Sequence, residues 1–198
     1  TYRLVSGLTE RDTAFDVAIS EAELRKGARS LRLKTPTQIS IADGATKLQK
    51  IAISAGDGLI EIAGGTGPDA LALDVVLKAV PANISDAFTE DLELEGVIDG
   101  RVAVRGSSAS PVAETKLTWR NASAGPSRTQ HLPPVNIDLT GRFAGQKASG
   151  VVTVRGPDRL QVNVDGSAIT NDRGEVKAQI TGDLPLALAN GILGARAT

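Results

Sequence analysis

Residues 67–88 read GPDALALDVVLKAVPANISDAF, and their phrasing returns later in the chain. After Gly67-Pro68-Asp69, the apolar residues Leu71, Leu73 and Val75 alternate with Ala72, Asp74 and Val76. After Gly156-Pro157-Asp158, Leu160, Val162 and Val164 alternate with Gln161, Asn163 and Asp165 at the same offsets from the proline. A proline-led phrase follows each stretch: Val80-Pro81 with Ile84 and Phe88, and Leu184-Pro185 with Leu188 and Ile192. Two-residue alternation marks a strand with one apolar and one wet face, the pattern of antiparallel sheets. Recurrence of elements in a fixed order marks an array whose units bury their apolar face only against their neighbours. We read residues 1–198 as a single elongated β-repeat module, with units at about 38–90 and 112–198.

The two copies differ in length. Between its alternating stretch and its proline, the second carries Asn171-Asp172-Arg173-Gly174, flanked by Ala168-Ile169 and by Val176, Ala178 and Ile180, which predicts an inserted hairpin. The second proline-led phrase runs out at Thr198, and the chain contains no methionine. Both features predict that the sequence belongs to a longer protein.

Outward from these phrases, alternation between glycines and prolines predicts strands over residues 13–20, 38–42, 49–55, 58–63, 70–78, 94–105, 112–120, 135–142, 148–155, 159–167 and 175–182. Residues 21–29, EAELRKGAR, have a helix-forming composition broken by Gly27, which predicts a loop or one helical turn. In the proline-led phrases the apolar residues fall four apart and the proline suits a first helical turn, predicting short amphipathic helices between repeats.

Composition narrows the function classes. With no cysteine, the chain holds no disulfide, no thiolate zinc site and no cysteine nucleophile. Lys+Arg 22 against Asp+Glu 23 gives a formal net charge of -1, so no overall field draws in nucleic acid. The basic run Arg25, Lys26, Arg29, Arg32, Lys34 lacks interleaved aromatics and reads as a solvated face. No stretch approaches the roughly 18 apolar residues of a membrane span. Aromatics at 3% leave Val, Ile, Leu and Ala to supply the apolar surface, which counts against a carbohydrate-binding platform.

Catalytic parts are missing. His131 is the only histidine and sits in a turn-rich stretch, without a nucleophile elbow or metal-ligand spacing around it. Gly64-Gly65-Thr66-Gly67 lacks the Lys-Ser/Thr of a phosphate loop and reads as a hairpin turn. Glu90, Asp91, Glu93, Glu95 and Asp99 lack calcium-loop spacing and read as a solvated acidic linker. No enzyme activity, cofactor or metal is expected.

Residues 92–121 read LELEGVIDGRVAVRGSSASPVAETKLTWRN: a glycine, a short apolar strand ending in Arg-Gly-Ser, a proline four residues after Ser107, then another alternating strand. This phrase, with the proline-led segment before it, resembles the repeats of the TamB (translocation and assembly module subunit) family and, more loosely, the AsmA-like superfamily. The likeness covers roughly residues 68–120. It implies a folded-over β-sheet, a β-taco, in the periplasm of a diderm bacterium, belonging to a protein anchored in the inner membrane. It also implies an apolar concave groove for phospholipid acyl chains moving toward the outer membrane. A further implied partner is a TamA-like outer-membrane barrel, with a role in autotransporter assembly; a separate reading is a surface that offers its strand edges to unfolded outer-membrane β-strands.

The side chains expected to line that groove are Leu71, Leu73, Val75, Leu77, Val102, Val104, Leu117, Val135, Ile137, Leu139, Val152, Val154, Leu160, Val162, Val164 and Ile180. Alternation alone fits equally the core of a closed β-sandwich or β-solenoid, such as a structural repeat of a surface adhesin.

Overall fold

The computed structural model describes residues 1–11, 13–67, 69–88, 92–170, 174–183 and 185. The strands are β1 (Tyr2–Arg11), β2 (Ala14–Lys26), β3 (Arg29–Leu33), β4 (Thr37–Ala42), β5 (Ala45–Ala55), β6 (Gly58–Thr66) and β7 (Leu71–Pro81), then β8 (Glu95–Gly106), β9 (Pro111–Ser123), β10 (Val135–Ala144), β11 (Lys147–Arg155), β12 (Gln161–Ile169) and β13 (Val176–Asp183). A 3-10 helix (Ala82–Ala87) follows β7, and the short α1 (Gly125–Thr129) follows β9. The protein is all-β, and its thirteen strands form one sheet in the order β1-β2-β3-β5-β6-β7-β8-β9-β10-β11-β12-β13. Every pairing is antiparallel.

β3 and β4 are two pieces of one strand position, since β2 and β5 each pair with both. Lys34-Thr35-Pro36 separates them, and Pro36 has no N–H to give to the ladder. Twelve positions at about 4.8 Å extend the sheet some 50 Å along its stacking direction. Among the described residues β1 and β13 each have one neighbour and do not pair with each other, so these strands do not close into a barrel.

This is a single layer. A sandwich would place a second sheet about 10 Å away over the apolar face; the described strands all belong to one sheet. Among the described residues no large side chain is fully buried, and the buried apolar residues are the small or modest Ala55, Val80, Ala82 and Ala122.

These buried residues gather at one end of the strands, the helical rim, where the 3-10 helix packs on β3 and β8. Arg29 at the start of β3 pairs with Asp86 at 2.7 Å, and Pro81 lies over the β5–β6 turn, 3.2 Å from where a Cβ on Gly56 would sit. The helix therefore straps together strands that are not sheet neighbours. The opposite rim has tight turns at Asp43-Gly44, at residues 107–110 and at Gly145-Gln146, and between β6 and β7 the Gly67 N–H donates to the Ala70 carbonyl there. β-bulges interrupt β7 between Leu77 and Val80 and, opposite Glu95–Val97 of β8, β9 between Arg120 and Ser123, both toward the helical rim. Ala79 adopts φ 48 in the first, with its N–H donating to Asp99 Oδ1 at 2.9 Å, and Asn121 adopts φ 51 in the second, opposite Gly96 at φ 103.

Several expectations need correction. Residues 21–26 continue β2 instead of forming a loop or helical turn: Ala22 and Leu24 alternate with Glu21, Glu23 and Arg25, and Gly27 at φ 61 makes the turn into β3. β1 and β3 lie where no strand was expected. The first proline-led phrase is not an amphipathic α-helix. Val80 belongs to β7, paired with Ile98, and Pro81 is extended at φ -63, ψ 129 with no capping side chain, so only a 3-10 turn follows. Ile84 is half-buried but Phe88 is 65% exposed, so the apolar residues do not share one packed face. Apart from Pro185, the second such phrase lies outside the described residues, as do residues 171–173 of the expected turn. On either side of that turn β12 and β13 pair from Ala168↔Val176 to Gln161↔Asp183, as a hairpin requires.

Gly64 and Gly65 are inside β6, not in a hairpin turn. At Gly64 φ is +145 and a Cβ would lie 2.0 Å from the Ala72 carbonyl oxygen, so only glycine lets β7 pair there. Gly7 in β1 has nothing within 4 Å of a would-be Cβ. Gly64→Ala should therefore lower unfolding stability by roughly 2 kcal/mol or more, whereas Gly7→Ala should be neutral or stabilising by up to about 1 kcal/mol, measured by urea denaturation.

Candidate functional site

Directly opposed residues on antiparallel strands point to the same face, so the pairing register builds the surface rung by rung. Leu73 lies opposite Val104, Val75 opposite Val102, Leu71 opposite Gly106 and Leu77 opposite Gly100. Gly100 leads to Leu117, and Leu117 to Leu139. From there the rungs run Leu139–Val152–Val164–Ile180 and Ile137–Val154–Val162. Val135 begins β10 two residues before Ile137. Leu160 precedes β12: its carbonyl accepts from the Gly156 N–H at 2.9 Å, and a Cβ on Gly156 would lie 2.7 Å from Leu160 Cδ2 and 3.2 Å from Val135 Cγ1. The ladder thus brings the nominated residues of β7–β13 onto one face, with Val135 and Leu160 meeting at the helical rim.

The same face continues through residues that were not nominated. Ile62 pairs with Val75 and with Ile51, and Ile60 with Leu77 and with Ile53. Ile98, Trp119 and Ile137 share a rung, and Phe143 extends the face toward the turn rim. Beyond β5 it runs on through Ile39 and Val17 to Leu8. Alternation marks Ile51/Ile53 and Ile60/Ile62 within expected strands, and likewise sets Ile98 in phase with Val102 and Trp119 with Leu117; the register brings Ile98 and Trp119 onto one rung. The Trp119 indole N–H is satisfied by the Glu95 carbonyl at 2.8 Å, leaving its ring to the apolar side.

Most of these side chains are half-buried, because each is flanked by strand neighbours but roofed by nothing. At the β13 edge Val176 and Ile180 are 75% and 69% exposed. Around Gly141, Gly150 and Gly166, which lie opposite one another on β10, β11 and β12, the face dips into a depression of about 380 Å3 walled by Leu139, Val152, Val164, Ala168 and Val176.

The other face is charged and laced with ion pairs. Asp74 accepts from Arg101 and Arg105, both at 2.5 Å; Arg120 pairs with Asp99 at 2.6 Å and Arg155 with Asp138 at 2.5 Å; Glu61 takes both Lys78, at 2.6 Å, and Lys50. Hydrogen bonds from Lys50 and Lys78 hold the Glu61 carboxyl down to about 2. Hydrogen bonds from Arg101 and then Arg105 lower that of Asp74, and those from Thr118 and then Arg155 lower that of Asp138.

Two expectations about charged residues change here. The acidic segment is not a solvated linker: Glu93 and Glu95 hold Arg128 of α1 at 2.8 and 3.3 Å, and Asp99 lies in β8 supporting the β7 bulge. Glu90 and Asp91 lie outside the described residues. In the basic run, Arg29 is tied to Asp86 instead of being free in solvent. His131 is exposed in the turn after α1.

Comparison with family models, with curated proteins and with solved structures gives no match.

Two outcomes follow from this two-faced sheet. On the apolar side a new carboxylate can stay hydrated, so Leu73→Asp or Val162→Asp should leave a soluble, cooperatively folding protein that loses only about 1–2 kcal/mol; circular dichroism showing loss of the fold would mean that this face is covered. On the charged side, carboxyls held below their unfolded values near 4 contribute stability that is complete above about pH 4.3 and is lost as pH falls through about 2 for Glu61. Thermal midpoints should therefore be flat from pH 7 to about 5 and fall between about pH 4 and 2, with a smaller drop in 1 M salt, where these exposed pairs are screened.

Proposed function

We propose that this chain is a non-catalytic segment of a periplasm-spanning module that shelters phospholipid acyl chains on its apolar face during their passage to the outer membrane. The observation that carries this reading is the run of apolar residues on one face from β2 to β13, over which no second sheet lies among the described residues. Such a surface is costly in water, at about 25 cal/mol per Å2, and an acyl chain offers the matching apolar area without requiring a polar contact. Its strands, at about 3.3 Å per residue, span more than the roughly 15 Å of half a bilayer core, so an acyl chain fits across their length.

The resemblance of residues 92–121 to TamB-family repeats supports the same reading and supplies its setting. In that setting the sheet is folded over into a groove within an inner-membrane-anchored protein of a diderm bacterium. The parent would work with a TamA-like outer-membrane barrel in autotransporter assembly, and its strand edges would be open to unfolded outer-membrane β-strands. Nucleic acid is not a partner in this reading, since the formal net charge is -1 and aromatics, at 3% of residues, supply no stacking platform.

The test is photocrosslinking in living cells that express the parent protein, with a photoreactive amino acid at Leu73, Val104 or Val162 and at the outward positions Asp74 and Asn163. Phospholipid adducts are expected at the first three positions and absent from the last two. Equal labelling of both sets, or none at either, would overturn the proposal.

A further inference from the structure

The charged face holds a depression of about 770 Å3, twice the volume of that on the apolar face, running across β8 to β12. Arg101, Arg105, Lys116 and Arg142 line it, against Glu114 and Asp165. The register sets Arg101 directly opposite Lys116 on the adjoining strand, and the neighbour of Lys116 on its other side is Thr140. Like charges in directly opposed positions destabilise a sheet unless an anion lies between them. Two of the nearby carboxylates are engaged: Asp74 is shared by Arg101 and Arg105, and Glu114 pairs with Arg142, while Asp165 stands three strands from Lys116 on the rung Lys116–Thr140–Val151–Asp165. Among the described residues Lys116 has no ion-pair partner within 4.0 Å; the attraction it shares with Asp138 acts over a longer distance. Arg101, Arg105, Lys116 and Arg142 outnumber Asp74, Glu114 and Asp165 by one, inside a concavity whose walls also carry the hydroxyls of Thr140 and Ser149.

Arg101, Lys116 and Arg142 stand on three consecutive strands and so spread over roughly 10 Å, wider than a single phosphate but matched to several linked ones. Guanidinium groups grip phosphate oxygens in pairs, and the lysine adds a mobile point charge. A hollow of this size admits a compact molecule, whereas a flat bilayer surface would meet only its edges. We propose that this cleft binds a soluble, multiply charged phosphate compound through Arg101, Lys116 and Arg142. The site is on the face opposite the apolar lining, so it goes beyond the acyl-chain reading and does not depend on it.

Calorimetric titration of the protein with sodium tripolyphosphate at low ionic strength should give one site. Lys116→Gln and Arg142→Gln should each weaken binding by about tenfold, Lys116→Arg should retain it, and affinity should fall steeply with added salt. Lys47→Gln, outside the cleft, should change nothing, and circular dichroism should be the same for all four variants because these side chains are at the surface. The proposal is overturned if Lys47→Gln weakens binding as much as Lys116→Gln, since the attraction is then diffuse. Orthophosphate binding as tightly as tripolyphosphate would also overturn it, as would anionic vesicles that bind and are not displaced by tripolyphosphate. Lipid adducts at Leu73 and Val162 should be unaffected in every variant, which separates failure here from failure of the acyl-chain reading.

Discussion

Everything in this molecule depends on strand register. With a side-chain period of two, a slip of one residue in any strand would carry its whole apolar set to the charged side. The bulges show how strictly this is kept. In β7 the apolar residues are odd-numbered through Leu77, then Val80 takes over beyond the bulge; in β5, Leu48 hands over to Ile51 in the same way. Each bulge adds one residue and shifts which positions face the apolar side, so the face survives the irregularity. Ala79, held at φ 48 by a hydrogen bond to Asp99, is the residue absorbed by the first of these shifts.

Stability is correspondingly spread out. Without a packed interior, the sheet relies on main-chain ladders, on cross-strand side-chain pairs worth roughly 0.2–1 kcal/mol each, and on exposed ion pairs that individually contribute little. Most strands hold only their neighbours, which is the energetic pattern of a quasi-one-dimensional array. The 3-10 helix departs from it by joining β3 to β8, and the buried Ala55, Val80 and Ala82 lie at that junction.

Much of the fold was legible because alternation needs only local reading. The strands from β7 onward announce themselves by it, and the lining residues chosen from it fall on one face in the ladder. What local reading missed has identifiable causes. EAELRKGAR carries helix formers, and the alternation of Ala22 and Leu24 is masked by surrounding charge; only pairing with β1 and β3 decides the matter. The proline-led phrase had helical spacing, but Val80 was claimed by a strand. The ion-pair lattice and the Arg101–Lys116 opposition were invisible because their members are far apart in sequence and meet only once the register is set.

The extra strand of the second repeat has a consequence for how such a chain keeps its bearings. Gly67 and Asp69 lie at the rim of tight turns, yet Gly156-Pro157-Asp158 lies between β11 and β12 at the opposite, helical rim. Left there, the two copies would exit from opposite sides. β13 sends the chain back across the sheet, so that Asp183, like Pro81 at the end of β7, arrives at the helical rim. Repeats of unequal length can thus stay in phase by an odd–even rule: what has to match is not the number of residues but whether the count of crossings returns each exit to the same shore.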